Sequence, residues 1–202
     1  MVLACVFAAA CGRNEANGHD GSGSGSGSDD TAGEQAKFDA ERKPDKVVEA
    51  LGIKPGSRVA DVGAGSGLLT VHLARAVRPN GKVVATDIDN DVLQNMLQPR
   101  LQAAGLSDYV ERRVVGKNTP GLEAGLYDAI LLAEVDHYFD DPVGWLKDAA
   151  AALKPDGRIV ISNRIHHRTK AMAAAAKAGL KLVSESAPVP THFIAVFVAD
   201  RK

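Results

Sequence analysis

The residues best suited to chemistry flank a glycine-rich turn, Gly63-Ala64-Gly65-Ser66-Gly67. Asp61 stands just before its first glycine, and Asp87 closes the next apolar run. A backbone without Cβ atoms can pass tight against a ligand and adopt positive φ. Carboxylates beside it offer only acceptor oxygens. In open α/β sheets such a turn lies outside the carboxyl end of a strand, where nucleotides bind. A second group, Glu134, Asp136, His137 and Tyr138, follows the run Tyr127–Ala133. A third, Arg164, His166, His167, Arg168 and Lys170, follows Arg158–Ser162 and could bind an anion or simply be a solvated basic loop. Asp136, His137, His166 and His167 are of zinc-ligand type. No paired helical spacing joins them, and no metal site is expected.

These side chains need elements to hold them. Arg58–Val62 predicts a buried strand, and Gly67–Val77 a helix with Leu69, Leu73, Ala76 and Val77 on its core face. Before them, Pro44-Asp45 opens a short helix that Gly52 closes. Lys82–Asp87 is a second strand, and Asn90 caps a helix that kinks at Pro99. Tyr109–Val115 is a third strand. Tyr127–Ala133 is a fourth, with the continuous apolar interior of a strand covered on both faces. Asp141-Pro142 caps the next helix, which stops at Lys154-Pro155-Asp156-Gly157. Arg158–Ser162, an alanine-rich helix Ala171–Ala178, and the strands Leu180–Glu185 and His192–Val198 complete the chain. Strand-helix alternation predicts a parallel, doubly wound α/β sheet with right-handed crossovers. The final pair, with no helix between its members, predicts an antiparallel element at one edge. His72 is expected on an exposed helix face and His192 at the start of an edge strand, neither with a role.

The chain has 202 residues, 45% of them hydrophobic, and a net charge of −1, which fits one domain with an appendage. With no basic run, nucleic-acid binding has no electrostatic support. No stretch approaches the ~20 apolar residues of a membrane span. Both cysteines, Cys5 and Cys11, precede the predicted domain, which therefore carries no disulfide.

Residues 1–12 read as an apolar leader. Ala8-Ala9-Ala10-Cys11-Gly12 resembles a bacterial lipobox, in which the cysteine carries lipid; no Lys or Arg precedes it, and Ala8 stands where Leu is usual. The other reading is a cleaved or disordered N-terminus. Residues 13–37 read as a flexible linker around the Gly-Ser repeat at 21–28, and residues 38–202 as the folded domain. A lipid anchor at Cys11 would place the domain at a membrane; without one it is expected in the cytoplasm.

The glycine spacing separates two ligand classes. The dinucleotide fingerprint G-x-G-x-x-G needs a glycine at 68, where this chain has Leu68, with Gly67 one place early. VADVGAGSG, VVATDID, YDAILLAEV and LKPDGRIVI, in this order, resemble the motifs of class I S-adenosylmethionine-dependent methyltransferases. The resemblance runs from about Phe38 to Val198, and the lead-in from Arg42 to Val47 resembles small bacterial members. It implies a Rossmann-like seven-stranded sheet of order 3-2-1-4-5-7-6 with strand 7 antiparallel. It implies S-adenosylmethionine as cofactor and methyl transfer to a small-molecule acceptor.

By the same resemblance, backbone at Gly63, Ala64, Gly65 and Gly67 faces the cofactor. Asp61 orients its amino group, Asp87 accepts from both ribose hydroxyls, and Ile88 lies on the adenine. Ala133 and Glu134 line the methyl-donor end. The family often has an acid after strand three for the adenine amino group; here Asn118 offers an amide oxygen instead. An in-line methyl transfer needs alignment and desolvation, and a base only if the acceptor must lose a proton. His137 is the preferred catalytic base, because histidine is the residue type most often used for proton transfer near neutral pH, with Glu134 beside it. Two other readings are a non-catalytic methyltransferase-like binding module on a tethered protein and an NAD-dependent oxidoreductase.

Overall fold

The apolar runs of the sequence become the interior strands because they bury side chains against the helical layers. The computed structural model describes residues 26–200, with side chains from residue 31 onward. The leader, Cys11 and the linker as far as residue 25 lie outside the described residues. The strands are β1 (Arg58–Val62), β2 (Lys82–Asp87), β3 (Val110–Val114), β4 (Tyr127–Ala133), β5 (Leu153–Arg164), β6 (Leu180–Val189) and β7 (His192–Ala199). Their order is β3-β2-β1-β4-β5-β7-β6. The strands β1 to β5 pair in parallel, and β7 runs antiparallel to both β5 and β6. The expected strand order and the antiparallel seventh strand are both present.

Helices cover both faces. They are α1 (Ser26–Arg42), α2 (Pro44–Leu51), α3 (Thr70–Val77), α4 (Asn90–Val92), α5 (Gln98–Ala103), α6 (Pro142–Ala152) and α7 (Arg168–Lys177). On one face α2, α3 and α5 bury Leu51, Leu73 and Leu101 against Val59, Val83 and Leu131. On the other, α6 and α7 bury Trp145, Leu146 and Ala175 against Ile130, Ile159 and Phe197. Ala129 to Leu132 of β4 are fully buried, as a strand sandwiched between helical layers must be.

Several local expectations change. Residues 26–37, read as flexible linker, are helical. Good helix formers from Ala32 onward allow this, and polar bonds fasten the helix: Glu34 pairs with Arg100, and Gln35 Nε2 donates to Leu68 O at 3.1 Å. The cap after β2 is Asp89, whose side chain accepts from the N–H groups of Asp91 (2.8 Å) and Val92 (3.4 Å); Asn90 is the first helical residue. The break expected at Pro99 takes the form of a π turn, Leu93–Leu97, between α4 and α5, a wider turn that suits a proline with no N–H to give. His192 begins an interior strand, since β6 and not β7 lies at the edge.

Candidate active site

The turn after β1 is shaped by its three glycines. Gly63, Gly65 and Gly67 hold φ of +66°, +54° and +85°. A Cβ on Gly63 would sit 2.7 Å from Val135 Cγ2, and one on Gly67 would sit 3.1 Å from Leu97 Cγ. Gly65 differs: its Cβ would meet nothing closer than Gly63 O at 4.0 Å. Two glycines therefore admit neighbouring protein, and the middle one leaves an open backbone face. Ala64 N–H donates to Thr86 O at 3.0 Å, and Gly65 N–H donates to Asp87 Oδ2 at 2.9 Å, which ties the turn to the end of β2.

Both expected acids lie at this turn. Asp61 is almost fully buried and accepts from the Thr70 hydroxyl at 2.6 Å. Burial lifts its pKa to about 6; the Thr70 bond opposes the rise, and the nearby Asp87 adds to it. Asp87 Oδ1 accepts from Asp89 N–H at 3.1 Å. Each Asp87 oxygen thus holds one backbone donor and has acceptor capacity left.

Two cavities open here and share Gly63, Ala133 and Glu134. The larger, about 340 Å³, is bounded by Asp87, Ile88, Gly116, Thr119, Tyr138 and Trp145, among others. The smaller, about 210 Å³, is bounded by Phe38, Arg42, Asp61, Ala64, Gly65 and Leu69, among others. Ile88 is 61% exposed, an apolar side chain held at the mouth of an open cleft. Gly67 borders neither cavity and acts as the packing point for Leu97. Asn118 also borders neither; its amide donates to Asp140 Oδ2 at 3.0 Å beside the Lys117–Asp140 ion pair. The Asp140 carboxylate holds the Asn118 amide, and Gly116, Lys117 and Thr119 edge the cleft on that side.

The sequence model of the family described as "Methyltransferase domain" matches residues 60–159. That span starts in β1 and ends in β5, so it contains the glycine turn, Asp87 and Glu134. Residues 60–159 belong to the class I S-adenosylmethionine-dependent methyltransferases. A ubiquinone biosynthesis O-methyltransferase of Xanthomonas campestris pv. campestris is 29% identical over 71% of this chain. The chain spans 57% of that relative's length. An S-adenosylmethionine-dependent methyltransferase of Aquifex aeolicus shares the fold at a TM-score of 0.73, with 20% identity over 84% of this chain and 97% of that one. The geranyl diphosphate C-methyltransferase of Streptomyces coelicolor, solved with S-adenosyl-L-homocysteine, gives 0.67 at 15% identity, over 85% of this chain and 83% of that one.

Two of the expected residues, Glu134 and His137, part company. Glu134 follows β4 and holds φ +54°, a strained value for a residue with a side chain, with its N–H on Ser162 O at 2.8 Å. Its carboxylate meets Arg42, His192 Nε2 at 2.7 Å and Arg164 Nε at 3.7 Å. Burial pushes the carboxyl up, but Arg42, His192 and Arg164 outweigh it and hold the pKa below the usual value. Burial, with Arg42, in turn holds His192 below the ordinary imidazole value. His192 is then the neutral tautomer that donates from Nε2 to Glu134, while Nδ1 accepts from the Thr191 hydroxyl at 2.8 Å. Glu134 is thus a fixed anion, poorly suited to take up a proton.

His137 lies elsewhere. It sits on a 3-10 turn, Asp136–Tyr138, and borders neither lobe of the cleft. Its Nδ1 is 3.0 Å from Asn163 Nδ2, and its ring stacks on His167 at 4.1 Å. The His137 and Tyr138 rings pack at 4.0 Å, yet Tyr138 borders the nucleoside-sized cavity and His137 borders a different one. Three contributors escaped the sequence reading: Phe38, Arg42 and His192. Phe38 and Arg42 are four residues apart, the spacing of one helix face, and the Arg42 guanidinium lies over the Phe38 ring at 5.6 Å. That signal was present but stood at the border of a segment that resembled linker.

Proposed function

We propose that this chain moves the methyl group of S-adenosylmethionine to a small-molecule acceptor at the junction of its two cavities. The carrying observation is that junction. A nucleoside-sized lobe and an amino-acid-sized lobe meet at Gly63, Ala133 and Glu134, as adenosine and methionine meet at the sulfonium.

In this reading Asp87 accepts from the ribose hydroxyls, and Ile88, Gly116 and Thr119 border the adenine. Asp61 accepts from the methionine ammonium, which favours the ionised form of its carboxyl. Arg42, the cation bordering the smaller lobe, faces the methionine carboxylate. The backbone of Ala64 and the open face of Gly65 lie along the methionine chain. Glu134 supplies negative charge beside the sulfonium, and its three cationic or hydrogen-bonding partners keep it ionised.

The donor is already activated, so the protein's part is to align the pair and exclude water. His137 has no place in that alignment. The acceptor is read as a molecule that reacts from its own nucleophilic form, or loses its proton to solvent. The name of the Xanthomonas relative makes oxygen the first acceptor atom to test. Calorimetric titration with S-adenosylhomocysteine tests the donor site, with saturable binding expected. A flat trace from folded protein at millimolar ligand ends the reading. Transfer of radiolabelled methyl into small-molecule fractions of cell extract then identifies the acceptor.

A further inference from the structure

A third cavity, of about 260 Å³, lies between α6, α7 and the 3-10 turn Asp136–Tyr138. It exists because α7 presents alanines to the sheet. Ala171 and Ala174 face Leu146 of α6 and Ile161 of β5, where larger side chains would fill the gap. Phe139, stacked on Trp145 at 4.2 Å, borders both this cavity and the larger lobe of the donor cleft and forms the wall between them.

The floor is apolar and the rim is basic. His137, His167 and Lys170 stand on the rim. The two imidazoles stack at 4.1 Å with their planes 11° apart, and His166 packs on the outer side of His167, also at 4.1 Å. Among the described residues, no carboxylate forms an ion pair with Lys170 or with any of these three histidines. Asp136 reaches the same cavity, but Asn163 Nδ2 holds its Oδ1 at 2.6 Å, and burial pushes its carboxyl up towards the neutral form. The histidines and Lys170 therefore form a basic rim with no ion-paired carboxylate, and Asp136, the acid that shares the cavity, is held by Asn163.

We propose that this cavity is a second ligand site, built for a small organic acid with an apolar body. The carboxylate sits against Lys170 and the His137–His167 pair, and the body rests on Leu146, Ile161 and Ala174. Size decides between a lone ion and such an acid. A volume of 260 Å³ is the share of roughly nine waters, too large for one halide or phosphate to fill and ample for a single substituted ring. Charge decides the polar end, since an N–H or ammonium rim pairs best with an ionised acceptor. The inference stands apart from the donor site, because no step of it involves the glycine turn.

Protonation reports on binding. Desolvation, then His137, His166 and Lys170, hold the His167 pKa below the usual imidazole value, with Asp136 opposing. A carboxylate among these bases reverses that balance, so occupancy raises the His167 pKa and binding tightens as pH falls.

The test is a titration of the histidine ring resonances of the full chain with benzoate, benzamide and inorganic phosphate. Benzoate is expected to move the His137 and His167 signals saturably and raise the His167 pKa. Benzamide, without the charge, and phosphate, without the ring, are each expected to bind at least about tenfold more weakly. Lys170→Met, at an exposed position, is expected to weaken benzoate by a similar factor. Ala174→Leu, which fills the floor, is expected to abolish its binding. Both variants should keep wild-type affinity for S-adenosylhomocysteine, which separates this site from the donor cleft and certifies folding. The proposal is overturned if millimolar benzoate moves neither histidine. Equal binding of benzamide or phosphate, or no loss in Lys170→Met, overturns it as well.

Discussion

Asp87 Oδ2 accepts the backbone N–H of Gly65 at 2.9 Å, so the carboxylate that closes β2 also fixes the turn that follows β1. One side chain thus sets the shape of the cleft and offers acceptors into it. Asp87→Ala should weaken S-adenosylhomocysteine binding by about ten- to a hundredfold, the scale of one or two hydrogen bonds to a charged group. Asp87→Asn keeps an oxygen for Gly65 and should lose less. Calorimetry on both variants checks the order, and equal losses would show that the second acceptor oxygen and the charge, not the turn geometry, carry the binding.

Gly63 carries two constraints, its φ of +66° and the closeness of Val135 Cγ2, which lies 2.7 Å from where a Cβ would stand. Gly63→Ala should cost about 1–3 kcal/mol in denaturant unfolding. Adding Val135→Ala removes the clash and leaves the backbone strain. The pair should therefore be less destabilised than the sum of the two single variants.

Asp61 sets stability against binding. Its folded pKa of about 6 lies above the ordinary 3.8, so the native state binds more protons than the unfolded chain between those values. The Asp61 contribution to stability is therefore fully present below about pH 4 and falls as pH rises through 6, by roughly 3 kcal/mol. Asp61→Asn keeps an acceptor for the Thr70 hydroxyl and removes the buried charge. It should be more stable than wild type at pH 7, with that gain shrinking as pH falls towards 4. It should also bind the donor more weakly. Urea melts at several pH values, read as the difference between the two proteins, check the sign.

Glu134 discriminates between donor and product. The sulfonium of S-adenosylmethionine is charged, and the thioether of S-adenosylhomocysteine is not. Glu134→Gln should therefore weaken the former by roughly tenfold more than the latter, on the scale of a partly screened charge pair. Equal effects on the two ligands would place Glu134 away from the sulfur.

Arg42 tests the N-terminal helix as part of the cleft. Arg42→Met removes the main opponent of burial at Glu134 and the cation of the smaller lobe. Donor affinity should fall by about tenfold and the Glu134 pKa should rise. Wild-type affinity in this variant would detach α1 from the site.

What the linear order of residues determined is local or repeated. The alternation of apolar runs with helical faces named the layers. The spacing of Gly63, Gly65 and Gly67, with Asp61 and Asp87 beside them, located the turn and its acids, because these contacts follow from a strand entering a helix. Asp141 capping α6 through Gly144 N–H at 2.9 Å and Gly52 ending α2 at φ +59° were equally readable, since each involves a few successive residues. Tertiary structure alone decided the rest. Glu134 meets Arg42, Arg164 and His192 because α1, β5 and β7 converge at the end of β4, and no spacing in the chain records that convergence. Whether His137 or Tyr138 faces the cleft depends on the rotation of a three-residue turn. Asn118 was claimed by Asp140, twenty-two positions away, and Arg100 with Glu34 and Gln35 turned apparent linker into a fastened helix. Composition and periodicity report which surfaces must be buried; which polar groups then find one another is fixed only once those surfaces have packed.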